Sequence, residues 1–416
     1  MKYGLIANRV THSFSAEIHK KLFGYDYELK ALSENQLHQF LSEREFSAIN
    51  VTIPYKESVI PYLDYIHPVA KSIGAVNTIV NRDGRLYGYN TDAGGLTALI
   101  QTNGISLKDK KVLVLGSGGT SKTALYVAKQ LGAREVFRVS RNEKDGCISY
   151  ETALSAHNNS EVIINTTPCG MFPETDATPI NINAFPSLSA VIDVIYNPLK
   201  TKLVCQAQKK KIKAVGGLYM LVAQAALAAE LFVDKSVEEI KIKEVYRQIL
   251  KSKQNIVLTG MPGCGKSSAG KYVAKKLGAR FIDTDDKITQ QTGASPSEII
   301  NFKGEQAFRD IESDIIKEIS QLNGCVISTG GGAVLREENI ENLLKNGRIY
   351  FINRPLEDIK ISDDRPLSST RELLKKRFEE RYDIYCNSAD VIINPLDGAE
   401  LNADLILEDF NENSCN

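Results

Sequence analysis

Charge of either sign in excess is what the sequence most plainly lacks: 51 Lys and Arg stand against 51 Asp and Glu across 416 residues. With no net field there is no overall pull toward nucleic acid or an anionic membrane, so any anion site must be local. Small anionic substrates stay open. Cysteine is sparse and unpatterned. Its seven positions, Cys147, Cys169, Cys205, Cys264, Cys325, Cys386 and Cys415, make no C-x-x-C pair and meet no neighbouring histidine cluster, as expected of a chain kept in a reducing cytosol. Long apolar runs are missing too. The opening MKYGLIANRV carries no signal-peptide core, and the most apolar stretch, Leu218 to Val233, is broken by Gln224 and Glu230. A soluble, cytoplasmic protein with no membrane span and no nucleic-acid partner is therefore expected. Length allows roughly two to four domains, and nothing in the sequence sets the oligomeric state.

What is present begins with IVLTGMPGCGKSSAGKYVAKKL, Ile256 to Leu277, a complete G-x-x-x-x-G-K-S phosphate loop between an apolar run and a helical pattern. Gly260, Gly263 and Gly265 let the backbone turn its N–H groups inward, and the helix that follows adds the positive end of its dipole. Lys266 would neutralise the β- and γ-phosphates of a nucleoside triphosphate, Ser267 would ligate Mg2+, and Ser268 opens the helix beside them. By itself the loop says only that a nucleoside triphosphate binds.

The residues before the loop alternate strands and helices, the pattern of an α/β fold with a doubly wound parallel sheet. KYGLIA reads as a buried strand, and RVTHSFSAEIHKKLF as a helix with Ser15 at its N-cap. Ser13 and Ser15 flank one turn, where hydroxyls either cap the helix or bind a polar ligand. SAINVTIPYKESV gives a strand ending at Pro54 and then Lys56 at a helix start, where a cation opposes the dipole. GAVNTIV and LYGYNTDAGGL bring Asn77, Asn90 and Asp92 to strand ends, the places where open α/β sheets hold ligands.

KKVLVLGSGGTSKTALYVAKQLG is a second phosphate-binding pattern, with a glycine turn of Gly116, Gly118 and Gly119 and with Ser121 where G-x-G-x-x-G has its third glycine. The next strand, REVFRVSR, puts Arg141 where the ribose-binding acid of an NAD site belongs. A guanidinium there pairs with a 2′-phosphate and favours NADP, although a surface arginine at a strand end has the same pattern. Asn165 and Tyr196 end two further strands. Gln224 is the single polar residue in the middle of the apolar helix from Gly216 to Phe232, so it must face a polar cleft or a partner. VDKSVEEIKIKEVYRQILKSKQN is charged and helical in pattern and leads into a short basic linker over 246–254.

Taken in order, the H-S-x-S of His12 to Ser15, the N-V-T-x-P-x-K of Asn50 to Lys56, the G-A-V-N-T of Gly74 to Thr78 and the N-T-D of Asn90 to Asp92 resemble shikimate dehydrogenases, over roughly Lys2 to Phe232. The resemblance implies a substrate-binding lobe over 1–99, completed by 217–245, and a Rossmann-like NADP lobe over 100–216. It implies that Ser13, Ser15, Thr52, Asn77, Asp92 and Gln224 bind the hydroxyl and carboxylate groups of shikimate. Lys56 and Asp92 would be the catalytic pair. Gly116, Gly118, Gly119 and Arg141 would hold NADP(H), and Tyr196, Gly217 and Met220 would border nicotinamide and substrate. Two departures stand out: Ala16 replaces a usual proline, and Ser140 and Asn142 flank Arg141 where the family more often has Asn and Thr.

After the phosphate loop, ARFIDTDDKI places Asp283 and Asp285 at a strand end, one suited to a water-mediated metal contact and the other to the accepting hydroxyl. GEQAFRDIESD sets Arg309 and Glu312 three apart on one helix face, in a site or in a plain surface ion pair. VISTGGGAVL ends a strand in Gly330, Gly331 and Gly332, a backbone able to approach a ligand closely. Arg365 lies in a polar loop, as part of a lid or merely solvated. With D-T-D, G-E-Q-x-F-R-x-I-E, the triple glycine, R-P-L and R-x-x-x-Y-x-x-x-A, this half resembles shikimate kinases over about Asn255 to Asn394.

That resemblance implies a P-loop kinase domain with a parallel sheet over 255–416. In it Asp285, Arg309, Gly330, Gly331, Gly332 and Arg381 would bind shikimate, and Ser267 and Asp283 would serve magnesium. Asp285 would accept the hydroxyl proton, while Lys266 and Arg365 stabilise the transferring group. The lid approach PLEDIKISDDRPL is a few residues short and has Lys360 where the family lays an arginine against adenine. The sequence is read as a bifunctional enzyme that reduces 3-dehydroshikimate and then phosphorylates shikimate. One rival reading makes the kinase half a binding or regulatory module; another keeps the dehydrogenase but uses quinate or NAD.

Overall fold

The structure, a computed structural model, describes residues 1–9, 13–359, 370–396 and 398–413. It divides into two compact units, Met1–Ile249 and Leu250–Asn416. Among the described residues no helix is long and apolar enough to cross a membrane.

In the first unit, β1 (Tyr3–Ala7), β2 (Glu28–Ala31), β3 (Ala48–Val51), β4 (Tyr65–Ile66), β5 (Thr78–Arg82) and β6 (Arg85–Tyr89) form a sheet in the order β2-β1-β3-β5-β6-β4. This sheet is mixed. β5 runs antiparallel to both β3 and β6, which corrects the expectation of parallel strands throughout. The cause is local: Asp83 and Gly84, both at positive φ, close a tight turn between β5 and β6, and a short turn can join only antiparallel strands. The hairpin carries Asn77, just before β5, and Asn90, just after β6, to the same sheet end.

The second sheet is wholly parallel, with β7 (Lys111–Leu115), β8 (Glu135–Val139), β9 (Cys147–Ile148), β10 (Val162–Asn165), β11 (Ala190–Asp193) and β12 (Lys213–Val215) in the order β12-β11-β10-β7-β8-β9. Alternation along its central strands explains its burial on both sides. Val112, Val114, Val162, Ile164 and Ile192 enter one core, while Leu113, Leu115, Ile163 and Val191 enter another, so near-continuous apolar strands are covered by helices on each face. The chain turns in opposite directions from β7 and β10, which opens a crevice at their carboxyl ends.

The second unit repeats the logic. β13 (Asn255–Thr259), β14 (Arg280–Asp283), β15 (Cys325–Ser328), β16 (Gly347–Ile352) and β17 (Val391–Ile393) pair in parallel in the order β14-β15-β13-β16-β17. Ile256, Leu258 and Val326 face one core, and Val257, Ile327 and Ile349 the other.

Four local expectations change. The segment read as a linker over 246–254 lies almost entirely in the helix Glu239–Lys253. EIKIKEVYRQILKSK has neither Gly nor Pro, and Val245 and Ile249, four apart, are fully buried, which holds one helical face against the protein. The division drawn at residue 99 likewise falls inside the helix Asp92–Thr102. Ser15 is not an N-cap. It is the first residue of the helix Ser15–Phe23, and its backbone N–H donates to Ser13 Oγ at 3.2 Å. Lys56 sits in a run of turns before the short 3-10 helix Ile60–Tyr62, not at the start of an α-helix.

The helix Asp92–Thr102 packs on Leu218–Val233 through Gly94 and Gly95. A Cβ on Gly95 would meet the Met220 carbonyl oxygen at 2.7 Å and Gln224 Cβ at 2.8 Å, whereas one on Gly94 would meet only the end of the Leu227 side chain. Backbone cannot step aside as a leucine methyl can. Gly95→Ala should therefore lower unfolding free energy by about 1–3 kcal/mol, while Gly94→Ala, which gains roughly 1 kcal/mol of helix propensity, should stay near wild type; chemical denaturation of the two variants measures the contrast.

Candidate functional sites

In the first unit, the turn after β3 delivers Lys56 to the first turn of the helix Asp92–Thr102. Lys56 Nζ lies 2.5 Å from Asp92 Oδ2, with the two side chains 12% and 8% exposed. The other oxygen of that carboxylate, Oδ1, accepts from Asn77 Nδ2 at 2.9 Å. Asn77 Nδ2 also reaches Gln224 Oε1 at 3.4 Å, and Gln224 Nε2 donates to the Leu221 carbonyl at 2.9 Å. Gln224 thus finds the polar partners its place in an apolar helix demanded. Its oxygen faces Asn77 because its own helix holds its nitrogen.

Lys56, Asn77, Asp92 and Gln224 are brought together in this way. Ser13, Ser15, Thr52 and Tyr196 belong to other segments, and among the described residues no hydrogen bond ties them to the cluster. Phe14, between the two serines, places its ring 5.2 Å from that of Tyr196. Burial raises the Tyr196 phenol above its ordinary range, so it stays protonated. His12 lies outside the described residues.

A cleft of about 800 Å³ adjoins this cluster, lined by Lys56, Gly116, Gly118, Gly119, Arg141 and Thr166 among others. Gly116 has φ +119°, and a Cβ there would meet Thr166 Oγ1 at 2.6 Å, so the crossing of the β7 and β10 ends requires glycine. A Cβ on Gly119 would touch Lys56 Cβ at 3.4 Å, and Lys56 Nζ is 3.4 Å from Thr120 Oγ1. The lysine is therefore a wall of the cleft. Ser121, in place of the third glycine, is buried, and its hydroxyl donates to the Gly118 carbonyl at 2.7 Å. Arg141 is exposed at the rim, just beyond β8. Gly217 is pressed against the Val194 carbonyl and donates its N–H to the Ile195 carbonyl at 2.8 Å. Met220 is buried in the helix that also carries Gln224.

In the second unit the loop after β13 runs into the helix Lys266–Leu277, with Gly260, Gly263 and Gly265 all at positive φ. Lys266 is buried, and its Nζ donates to the Gly260 and Met261 carbonyls, both at 2.9 Å. Ser267 Oγ donates to Asp283 Oδ2 at 2.7 Å and lies 3.2 Å from Ser328 Oγ. Ser268 is exposed. Asp283 Oδ1 accepts the Asp285 N–H at 3.1 Å. A hydroxyl and a carboxylate side by side at a phosphate loop are the oxygen donors that magnesium prefers.

Asp285 is the strained charge. Burial, then the negative charges of Asp283 and Glu312, push its carboxyl up to about 6. Its Oδ1, Glu312 Oε1 and Arg381 Nε have no hydrogen-bond partner among the described residues. Arg309 donates to Glu312 Oε2 at 2.6 Å and to Glu305 Oε1 at 3.0 Å. Arg309 and Glu312 are buried, so their spacing does not make a surface pair. Arg381 Nη1 donates to the Gly331 carbonyl at 3.1 Å, as does the Tyr385 hydroxyl.

The triple glycine has a reason at each position. A Cβ on Gly330 would run into Glu312 Oε1 and Asp285 Oδ1, one on Gly331 into Pro262, and one on Gly332 into the Arg309 guanidinium. Sequence reasoning left Glu312 outside the site and overlooked Tyr385, although Tyr385 stood in the quoted R-x-x-x-Y pattern. Arg365 and Lys360 lie outside the described residues.

Because Asp285 holds its proton more tightly folded than unfolded, it weakens the fold once pH rises through about 6 and is without effect below the ordinary carboxylate range. Asp285→Asn should therefore stabilise the second unit at pH 8 by roughly 2–3 kcal/mol, with the gain disappearing below about pH 4; denaturation midpoints measured across that range check the sign.

Two family models match the chain: that of the shikimate dehydrogenase substrate binding domain at residues 5–79 and that of shikimate kinase at residues 262–410. A shikimate dehydrogenase (NADP(+)) of Clostridium beijerinckii is 37% identical over 245 residues, 55% of this chain and 91% of that relative. A solved shikimate dehydrogenase of Peptoclostridium difficile aligns with a TM-score of 0.57 at 33% identity, over 60% of this chain and 98% of the other. A Thermus thermophilus shikimate 5-dehydrogenase, solved in complex with NADP(H) and shikimate, aligns with a TM-score of 0.54 at 30% identity, over 60% and 99%.

Proposed function

The chain belongs to the shikimate dehydrogenase family through its first unit and carries a shikimate kinase domain in its second, and on that premise we propose that it reduces 3-dehydroshikimate with NADPH and phosphorylates the shikimate so formed with ATP. The observation that carries the first half is the buried Lys56–Asp92 pair forming a wall of the cleft beside the glycine turn. Gly116, Gly118, Gly119 and Arg141 would hold NADPH along the cleft, from which the cofactor supplies hydride. Reduction builds negative charge on the ketone oxygen. Lys56, as an ammonium, stabilises that charge and gives up a proton to it. Asp92 fixes the direction of the Lys56 ammonium and accepts from the neighbouring substrate hydroxyl. Asn77 and Gln224 offer amide groups to the remaining hydroxyls, Ser13, Ser15 and Thr52 complete the polar wall, and Tyr196, Gly217 and Met220 border the reacting carbon.

In the second unit Asp285, Arg309 and Arg381 lie against the triple glycine, with Asp285 Oδ1 and Arg381 Nε unsatisfied among the described residues, which supports a small polyhydroxy acid bound there. Arg309 and Arg381 would hold the shikimate carboxylate, with Gly330, Gly331 and Gly332 giving the ring a close approach. Asp285, held near neutrality by burial, takes the proton of the attacking hydroxyl. Mg2+ with ATP supplies the phosphoryl group. Gly260, Gly263, Gly265, Lys266, Ser267 and Ser268 would cradle its phosphates, Ser267 and Asp283 would face the metal, and Lys266 with Arg365 would stabilise the transferring group. A binding-only second unit is disfavoured by the full set Lys266, Asp283, Asp285, Arg309 and Arg381.

Incubation with 3-dehydroshikimate, NADPH and MgATP should give NADPH loss followed by ADP formation that depends on the first substrate; ADP that appears regardless of it would sink the coupled reading. Lys266→Ala should abolish ADP formation and leave NADPH oxidation near wild type, whereas Lys56→Ala should cut the reduction by about 10²-fold or more and leave phosphorylation of added shikimate intact. Arg141→Ala should raise KM for NADPH by about tenfold without changing KM for NADH, as steady-state kinetics with both cofactors will read.

A further inference from the structure

Beneath the Lys56–Asp92 pair a chain of polar groups runs from the half-buried Tyr27 through the buried Asn50 and Thr78 to Asn77. Tyr27 donates its hydroxyl to Asn50 Oδ1 at 2.7 Å. With that oxygen committed as an acceptor, Asn50 Nδ2 turns the other way and donates to Thr78 Oγ1 at 3.1 Å and to the Asn77 carbonyl at 3.3 Å. Thr78 has one proton to give, with Asn77 Oδ1 at 3.1 Å and Thr91 Oγ1 at 3.2 Å in reach, and the Thr91 hydroxyl in turn reaches Asn77 Oδ1 at 3.3 Å, so by either route a hydroxyl donates to that oxygen. The Thr91 N–H fills the second acceptor position of Asn77 Oδ1 at 2.7 Å. That oxygen is then surrounded by donors. The Asn77 amide has only its NH2 left to present to Asp92 Oδ1, at 2.9 Å, and the second carboxylate oxygen is the one that holds Lys56 Nζ.

We infer that Tyr27, Asn50 and Thr78 are positioning residues for the reduction: a one-way hydrogen-bond relay that keeps the Asn77 amide nitrogen, rather than its oxygen, against Asp92 and so fixes the acceptor geometry in which Asp92 holds Lys56. Each link obeys the donor inventory of its group, and the polarity of the chain is set by the Tyr27 hydroxyl at one end and the Thr91 N–H at the other. The Tyr27 end is well secured. The Tyr27 ring stacks on His19 with centroids 4.1 Å apart, and His19 Nδ1 meets the Tyr25 hydroxyl at 2.5 Å. Burial, against a smaller opposing contribution from Asn50, pushes the His19 imidazole down to about 3, and burial lifts the Tyr27 phenol well above its ordinary value. Across the working range the ring beneath is uncharged and the phenol remains a donor. Asn50, Asn77, Thr78 and Thr91 are all buried, so water cannot substitute for a missing donor. Asn50 opens the N-V-T-x-P-x-K pattern that carries Lys56, and its side chain is hydrogen-bonded into this relay.

The inference deepens the dehydrogenase reading and rests on it, so wild-type oxidation of NADPH with 3-dehydroshikimate is measured first and judges that reading alone. Thr78→Val keeps shape but removes the hydroxyl, and Thr78→Ser restores it. Thr78→Val should lower kcat for the reduction about tenfold, with KM for NADPH within about twofold and ADP formation from added shikimate unchanged, while Thr78→Ser should return kcat to within about threefold of wild type. Asn50→Asp, which accepts from Tyr27 but has nothing to donate to Thr78, should fall at least as far. NADPH binding and the thermal midpoint report folding for each variant. Folded Thr78→Val and Tyr27→Phe proteins that both turn over within about twofold of wild type would overturn the relay, as would equal losses in the Val and Ser variants. If Thr78→Val or Asn50→Asp fails to fold, Tyr27→Phe, which keeps the stacked ring, decides by a loss of about threefold or more in kcat, or by its absence.

Discussion

The first unit is arranged around a charge pair that is nearly out of water. Desolvating an ammonium and a carboxylate costs several kcal/mol per ion, on the order of what their attraction returns, so such a pair persists only when further hydrogen bonds complete it. Here one carboxylate oxygen takes Lys56 and the other takes Asn77. Everything nearby serves that arrangement. The β5–β6 hairpin puts Asn77 and Asn90 at one sheet end, and Gly95 lets the helix bearing Asp92 come close enough to the helix bearing Gln224. The glycine turn after β7 then leaves Lys56 facing an open cleft.

The second unit solves the opposite problem. Its acids are held close together without enough donors, and Asp285 is lifted toward neutrality by burial and by its acidic neighbours. A base for a hydroxyl has to be poised in this way, between holding and releasing a proton. One unit thus keeps its key carboxylate paired with a cation, and the other keeps its key carboxylate short of partners. The difference suits the proposed chemistry, in which a proton would be given in one reaction and taken in the other.

Much of this was legible in the sequence because periodicity and glycine placement are local signals. Both parallel sheets, the phosphate loop and the strand ends carrying Asn77, Asp92, Asp283 and Asp285 could be placed from patterning alone. The need of Gln224 for a partner followed from one amide in an apolar helix, and Asn77 and Thr91 meet it. What could not be read depended on contacts between distant segments. The burial of Arg309 and Glu312 is set by the glycines near 330, not by their spacing. The antiparallel hairpin arises from two residues at positive φ, and the helix through 246–253 from two buried aliphatics whose partners the sequence does not name. Ser13 proved to be the oxygen serving the helix start, because capping depends on backbone angles that two nearby serines leave ambiguous.

Ser121 bears on how such loops are recognised at all. Its hydroxyl returns a hydrogen bond to the carbonyl of Gly118, inside the turn it belongs to, so the position tolerates a small side chain that finds its own acceptor. Gly116 has no such freedom, being at positive φ and confined by Thr166. A search built on three obligatory glycines would pass over this glycine turn, whereas one that weighs the first by the space it leaves, and the last by the bond it makes, would find it.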